Sequence, residues 1–136
     1  MRSIIKCPYY YFESAITDEI CDVIIATGME KAHEDAIINS GGEEDKDYRR
    51  GKVAWLKDGW IEQILGAYVE RANIEANWNF ILDDKELIQF ATYKKQDFYQ
   101  YHRDCDIVQP KYRKLSVTVQ LSDPQKYSGG ELFIRH

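Results

Sequence analysis

Several things are scarce in this sequence. No apolar run approaches the roughly 20 residues a bilayer-spanning helix needs, so no membrane partner is expected. Lys and Arg number 18 against 23 Asp and Glu, a formal charge of −5, so the basic surplus that binds nucleic acid is missing. Arg113-Lys114 is a local basic pair that reads as a solvated strand edge. The three cysteines, Cys7, Cys21 and Cys105, form no CxxC pair, which argues against a structural zinc site or a thioredoxin-type motif. Their odd number, and an N-terminus poor in apolar residues for a secretory signal, predict a reducing, cytoplasmic setting.

What is present describes a globular domain. With 136 residues, 44% hydrophobic and 30% charged, the chain has the size for one core and not two. Residues 8–12 (Pro-Tyr-Tyr-Tyr-Phe) read as an aromatic extended strand. Thr17 is a candidate N-cap for a helix carrying Ile20, Cys21, Val23 and Ile24 and closed by Gly28. From His33 to Lys52 the polar composition around Gly41-Gly42 predicts a surface loop with His33 exposed. Lys52–Leu56 is a short strand. A longer helix spans roughly Trp60 to Trp78, with Ile61, Ile64, Leu65, Tyr68, Ala72 and Ala76 on its core face. Trp55, Trp60 and Trp78 read as core and helix-anchor residues.

Beyond Asp83-Asp84 the period falls from 3.6 to 2. Ile88, Phe90 and Thr92 alternate with Gln89, Ala91 and Tyr93, and a turn follows at Lys94–Asp97. Strands are predicted at Phe98–His102, Leu115–Leu121 and Glu131–Arg135, with turns at Ser122-Asp123-Pro124 and Gly129-Gly130. Helices first and antiparallel strands after predict an α+β chain or a helix-supported β-barrel. The last strands lack evident partners, so either another chain covers them or the sequence is incomplete.

The residues with the sharpest chemistry are His102-Arg103-Asp104. On a strand, residues i and i+2 share a face, so His102 and Asp104 can converge on one ion while Arg103 points away. That is two thirds of a 2-His-1-carboxylate triad for non-haem Fe(II), which keeps positions open for O2 and a co-substrate. A lone His-x-Asp is weak, and a surface role is the commoner outcome. Around it stand Tyr93-x-x-Gln96-Asp97-Phe98-Tyr99, then Arg113 to Pro124, then Tyr127-Ser128-Gly129-Gly130-Glu131-Leu132.

These three blocks, in this order, resemble the first half of the double-stranded β-helix of 2-oxoglutarate/Fe(II)-dependent dioxygenases. The likeness is greatest to the prolyl 4-hydroxylase-like branch with its PKHD-type hydroxylases, and it covers residues 88–135. The resemblance implies one incomplete domain, 1–136, with 1–84 as helical support and 85–136 as the first half of a jelly-roll or cupin-like core. It implies His102 and Asp104 as iron ligands, Tyr93 near the 2-oxoglutarate carboxylate, and Gln120 and Leu132 lining the co-substrate pocket. The implied chemistry couples decarboxylation of 2-oxoglutarate by O2 to hydroxylation of a C–H bond in a small-molecule or peptidyl substrate, with ascorbate as an accessory reductant. The glycine usual between Tyr93 and Tyr99 is replaced by Gln96-Asp97.

The resemblance implies a distal histidine and a basic co-substrate residue on strands beyond the Gly129-Gly130-Glu131-Leu132 block, where only Phe133, Ile134, Arg135 and His136 follow; His136 follows Gly130 too closely for the first role, and Arg135 has outward parity. Judged without the family, Gln120 and Leu132 are packing residues, Tyr93 is pocket or packing, and Tyr99 and Tyr101 are cross-strand aromatics. Cys105 reads as a passive thiol. Two other functions stay open. One is a truncated, inactive β-module that binds a partner or forms a homodimer through its open sheet. The weaker one is a metal hydrolase built on His102 and Asp104.

Overall fold

In a computed structural model, residues 7–36, 39–40, 43–44, 48–104 and 113–135 are described. Two helices pack on a small antiparallel sheet, an α+β arrangement with no closed barrel among the described residues. Helix α1 runs Asp18–Met29 behind Thr17, whose extended backbone lets the chain turn into the helix. Asp18 and Glu19 in its first turn suit the positive end of the helix dipole. Helix α2 runs Gly59–Glu75 and ends where Asn77 adopts φ 57°, a left-handed conformation that Asn tolerates. Neither helix is long and apolar enough to cross a membrane.

Strands β1 (Glu34–Asp35), β2 (Asn39–Ser40), β3 (Glu43–Glu44) and β4 (Arg49–Arg50) fall where a polar loop is expected. They are two-residue pieces, too short to carry a readable period, and β2 pairs with β3. Strand β5 (Lys52–Leu56) is central in a three-stranded sheet, between β1 and β6 (Ile88–Thr92). Its register pairs Ala54 with Phe90 and Trp55 with Gln89. Strand β7 (Phe98–Tyr99) pairs instead with β4, Arg49 opposite Tyr99.

One face of the three-stranded sheet holds the core: Ile24 of α1, Ala54 and Leu56 of β5, Ile61 of α2 and Phe90 of β6, with Leu121 against them. Leu56 and Ile61 are fully buried, each contributing about 1.5–3 kcal/mol of hydrophobic stabilisation. Gly28 lies inside α1 rather than after it, and a Cβ there would stand 2.5 Å from the Phe90 ring. His33, expected to be exposed, is half-buried: its Nε2 lies 3.0 Å from the Gly28 carbonyl and its ring packs edge-on against Phe90. Asn73, buried on α2, bonds both the N–H and the C=O of Phe80, folding the chain back after the helix.

Several expected elements differ. Residues 8–12 form no strand; Tyr10 bonds Glu75 and Phe12 packs edge-on against Tyr68, so these aromatics lie against α2 as irregular chain. Trp55 and Trp60 are exposed rather than core; Trp55 has the parity of the sheet's outer face. Residues 115–121 and 131–135 form no strand, since no neighbouring strand offers them a ladder among the described residues. The turn at Ser122-Asp123-Pro124 is present, as a 3₁₀ turn at Pro124–Lys126 with the Asp123 side chain accepting from Gln125 N–H.

Candidate functional site

The turn after β6 sets the position of everything that follows. Lys94 N–H donates to the Asp97 carboxylate at 2.7 Å, and Asp97 N–H to the Lys94 carbonyl at 2.9 Å. Gln96 takes φ 73° there, the left-handed conformation in which glycine is usual. The turn sends β7 against β4, and Gln100 N–H extends that ladder by donating to the Tyr48 carbonyl.

His102 and Asp104 come next, on irregular chain rather than on the expected strand 98–102. They meet nonetheless: His102 Nε2 lies 3.1 Å from Asp104 Oδ1. His102 Nδ1 lies 2.8 Å from the Gln100 carbonyl. A carbonyl only accepts, so Nδ1 carries the proton and Nε2 of a neutral ring presents a lone pair to the carboxylate. Two lone pairs at that distance repel; a proton or a metal ion between them removes the clash. Two donors about 2.1 Å from one ion, at about 90° to each other, stand roughly 3 Å apart, so the spacing fits adjacent ligands of one octahedral metal. The carbonyl behind Nδ1 is the usual outer support of a ligating histidine. No third His, Cys, Asp or Glu joins the pair among the described residues.

The surroundings are aromatic and cationic. Tyr99 stacks on the His102 ring with centroids 3.7 Å apart, and burial pushes its phenol above the ordinary range, partly opposed by Arg49. Arg113 makes a two-pronged bond to Glu86, which raises its pKa, and sets Nη1 3.8 Å from Asp104 Oδ1. At that distance the guanidinium would compete mildly with a metal for Asp104.

The unanticipated residue is Arg49. It is 7% exposed, donates from Nε to the Tyr93 hydroxyl at 3.3 Å and from Nη2 to Gln89 Oε1 at 2.7 Å, and lies over the Tyr99 ring. The alternation of Gln89, Ala91 and Tyr93 places two polar groups on the sheet face away from the helices, but nothing in a polar stretch marks which cation joins them. Tyr93 therefore touches the site through Arg49 and remains 46% exposed. Gln120 is exposed and Leu132 is 60% exposed, and among the described residues no hydrogen bond or ion pair links either to His102 or Asp104. Tyr101 packs against Phe133 and Arg135. Cys105 and His136 lie outside the described residues.

Comparison with known proteins leaves the chain alone: no family model, curated protein or solved structure matches it.

Proposed function

We propose that this chain belongs to an Fe(II)- and 2-oxoglutarate-dependent dioxygenase of the prolyl 4-hydroxylase-like type, with His102 and Asp104 as two of the metal's ligands. The observation that carries the reading is His102 Nε2 facing Asp104 Oδ1 at 3.1 Å, with Nδ1 turned to the Gln100 carbonyl at 2.8 Å. When bound, Fe(II) with 2-oxoglutarate and O2 supplies the oxidising power for C–H hydroxylation. The chain's own part is to hold two ligands side by side, orient the imidazole from its far nitrogen, and wall one side with Tyr99. A cytoplasmic setting goes with this reading, consistent with free thiols at Cys7 and Cys21.

The test uses the full gene product loaded with Fe(II), measuring succinate formed from 2-oxoglutarate. His102→Ala and Asp104→Ala should each reduce turnover to the metal-free background. Turnover unchanged by His102→Ala sinks the assignment.

A second reading, a module that pairs with a partner or with itself, draws support from Leu132, Phe133 and Ile134, all more than half exposed in sequence. Light scattering on the purified protein decides it: self-association lost in Phe133→Glu supports it, and a monomer at high concentration removes the self-pairing form.

A further inference from the structure

A cavity of about 310 Å³ opens on the sheet face away from the helices, lined by Glu34, Asp35, Ala36, Arg49, Val53, Trp55 and Gln89. Its polar groups form a row across the strands. Arg49 Nη2 donates to Gln89, Gln89 pairs across the ladder with Trp55, and Trp55 Nε1 donates to Glu34 Oε1 at 2.8 Å. The row thus has a guanidinium at one end and a carboxylate at the other.

Among the described residues the Arg49 end has hydrogen-bond partners but no counter-ion. It is more than nine-tenths buried, yet no carboxylate lies within ion-pair distance of it among the described residues. Its two hydrogen bonds use two of five N–H donors, and Tyr99 supplies only a ring face. A buried cation without a counter-ion is costly, and a guanidinium fork matches a carboxylate. At the other end the indole of Trp55 stands beside Glu34, a combination suited to an ammonium group. Asp35 is held by Lys52 at 2.6 Å. A simple anion would gain at Arg49 and lose at Glu34. A molecule with one charge of each sign gains at both.

We propose that this cavity binds a small zwitterion, an amino acid or ω-amino acid, with its carboxylate on Arg49 and its ammonium against Glu34 and Trp55. As the substrate class of a hydroxylase the assignment rests on the dioxygenase reading; as a binding site it does not, because the test needs no metal. Calorimetry on metal-stripped protein compares three five-carbon probes: 5-aminopentanoate, glutarate and 1,5-diaminopentane. A series from glycine to 6-aminohexanoate then locates the preferred spacing. The best zwitterion should bind at least tenfold more tightly than the dicarboxylate or diamine of its length. Arg49→Gln should weaken it at least tenfold. Arg49 is buried and its loss can impair folding, so exposed Glu34→Gln is the second variant, and it should shift preference toward the dicarboxylate. Absence of binding across the series, a dicarboxylate binding as tightly as the matching zwitterion, or an unshifted preference in Glu34→Gln overturns the proposal. Binding retained in a protein with no iron-dependent turnover would break the dioxygenase reading and leave this one standing.

Discussion

The helix-backed sheet and the chain that follows Tyr93 obey different rules. In the first, Ala54 and Phe90 face each other across β5 and β6, and both helices lay apolar side chains on them. In the second, β7 is two residues long and Leu132, Phe133 and Ile134 stand open to solvent. Both regions have strand-like patterning in sequence. The difference is a partner: β5 has a strand on either side and two helices beneath, while residues 115–121 and 131–135 have no ladder among the described residues. Alternation says which face a side chain would take, and only a neighbour makes a strand of it.

Substitutions in the two regions test that contrast, measured as shifts in urea-denaturation midpoints. The largest effect is expected from Phe90→Ala, which empties the centre of the core and should cost about 3–5 kcal/mol. Next is Gly28→Ala, whose added methyl would collide with the Phe90 ring; overpacking of this kind should cost about 1–3 kcal/mol despite alanine's better helix propensity. Gln96→Gly relieves the left-handed turn that joins the two regions and should stabilise by about 1 kcal/mol. Leu132→Ser, on the exposed segment, should stay within about 0.5 kcal/mol. A Leu132→Ser loss comparable to Phe90→Ala would break the contrast and mean that the later segment has a core of its own, supplied by a partner.

Legibility in the sequence follows the same division. The start of α1 behind Thr17, the core face of α2, and the strands at 52–56 and 88–92 were readable because each carries a period several residues long. Strands β1 to β4 were not, since two residues make no pattern. Trp55 misled because bulk suggested the core while its pairing with Gln89 puts it outside. The His102–Asp104 pair was legible as composition, though it assembles on a bend and not on a strand. Arg49 was invisible because its burial comes from Gln89, Tyr93 and Tyr99, at least 40 residues away. Long-range burial leaves no local signature.

The fit between Gly28 and Phe90 works as an index pin. A one-residue slip of β6 would bring Gln89 or Ala91 to the gap, a polar group or a void in the core. A two-residue slip would bring Ile88 or Thr92, neither of which fills a slot shaped by a flat ring. The ring that seats against the bare helix therefore counts out the strand. In counting it out, it also decides that Gln89 and Tyr93 emerge on the far side of the sheet, where Arg49 waits for them.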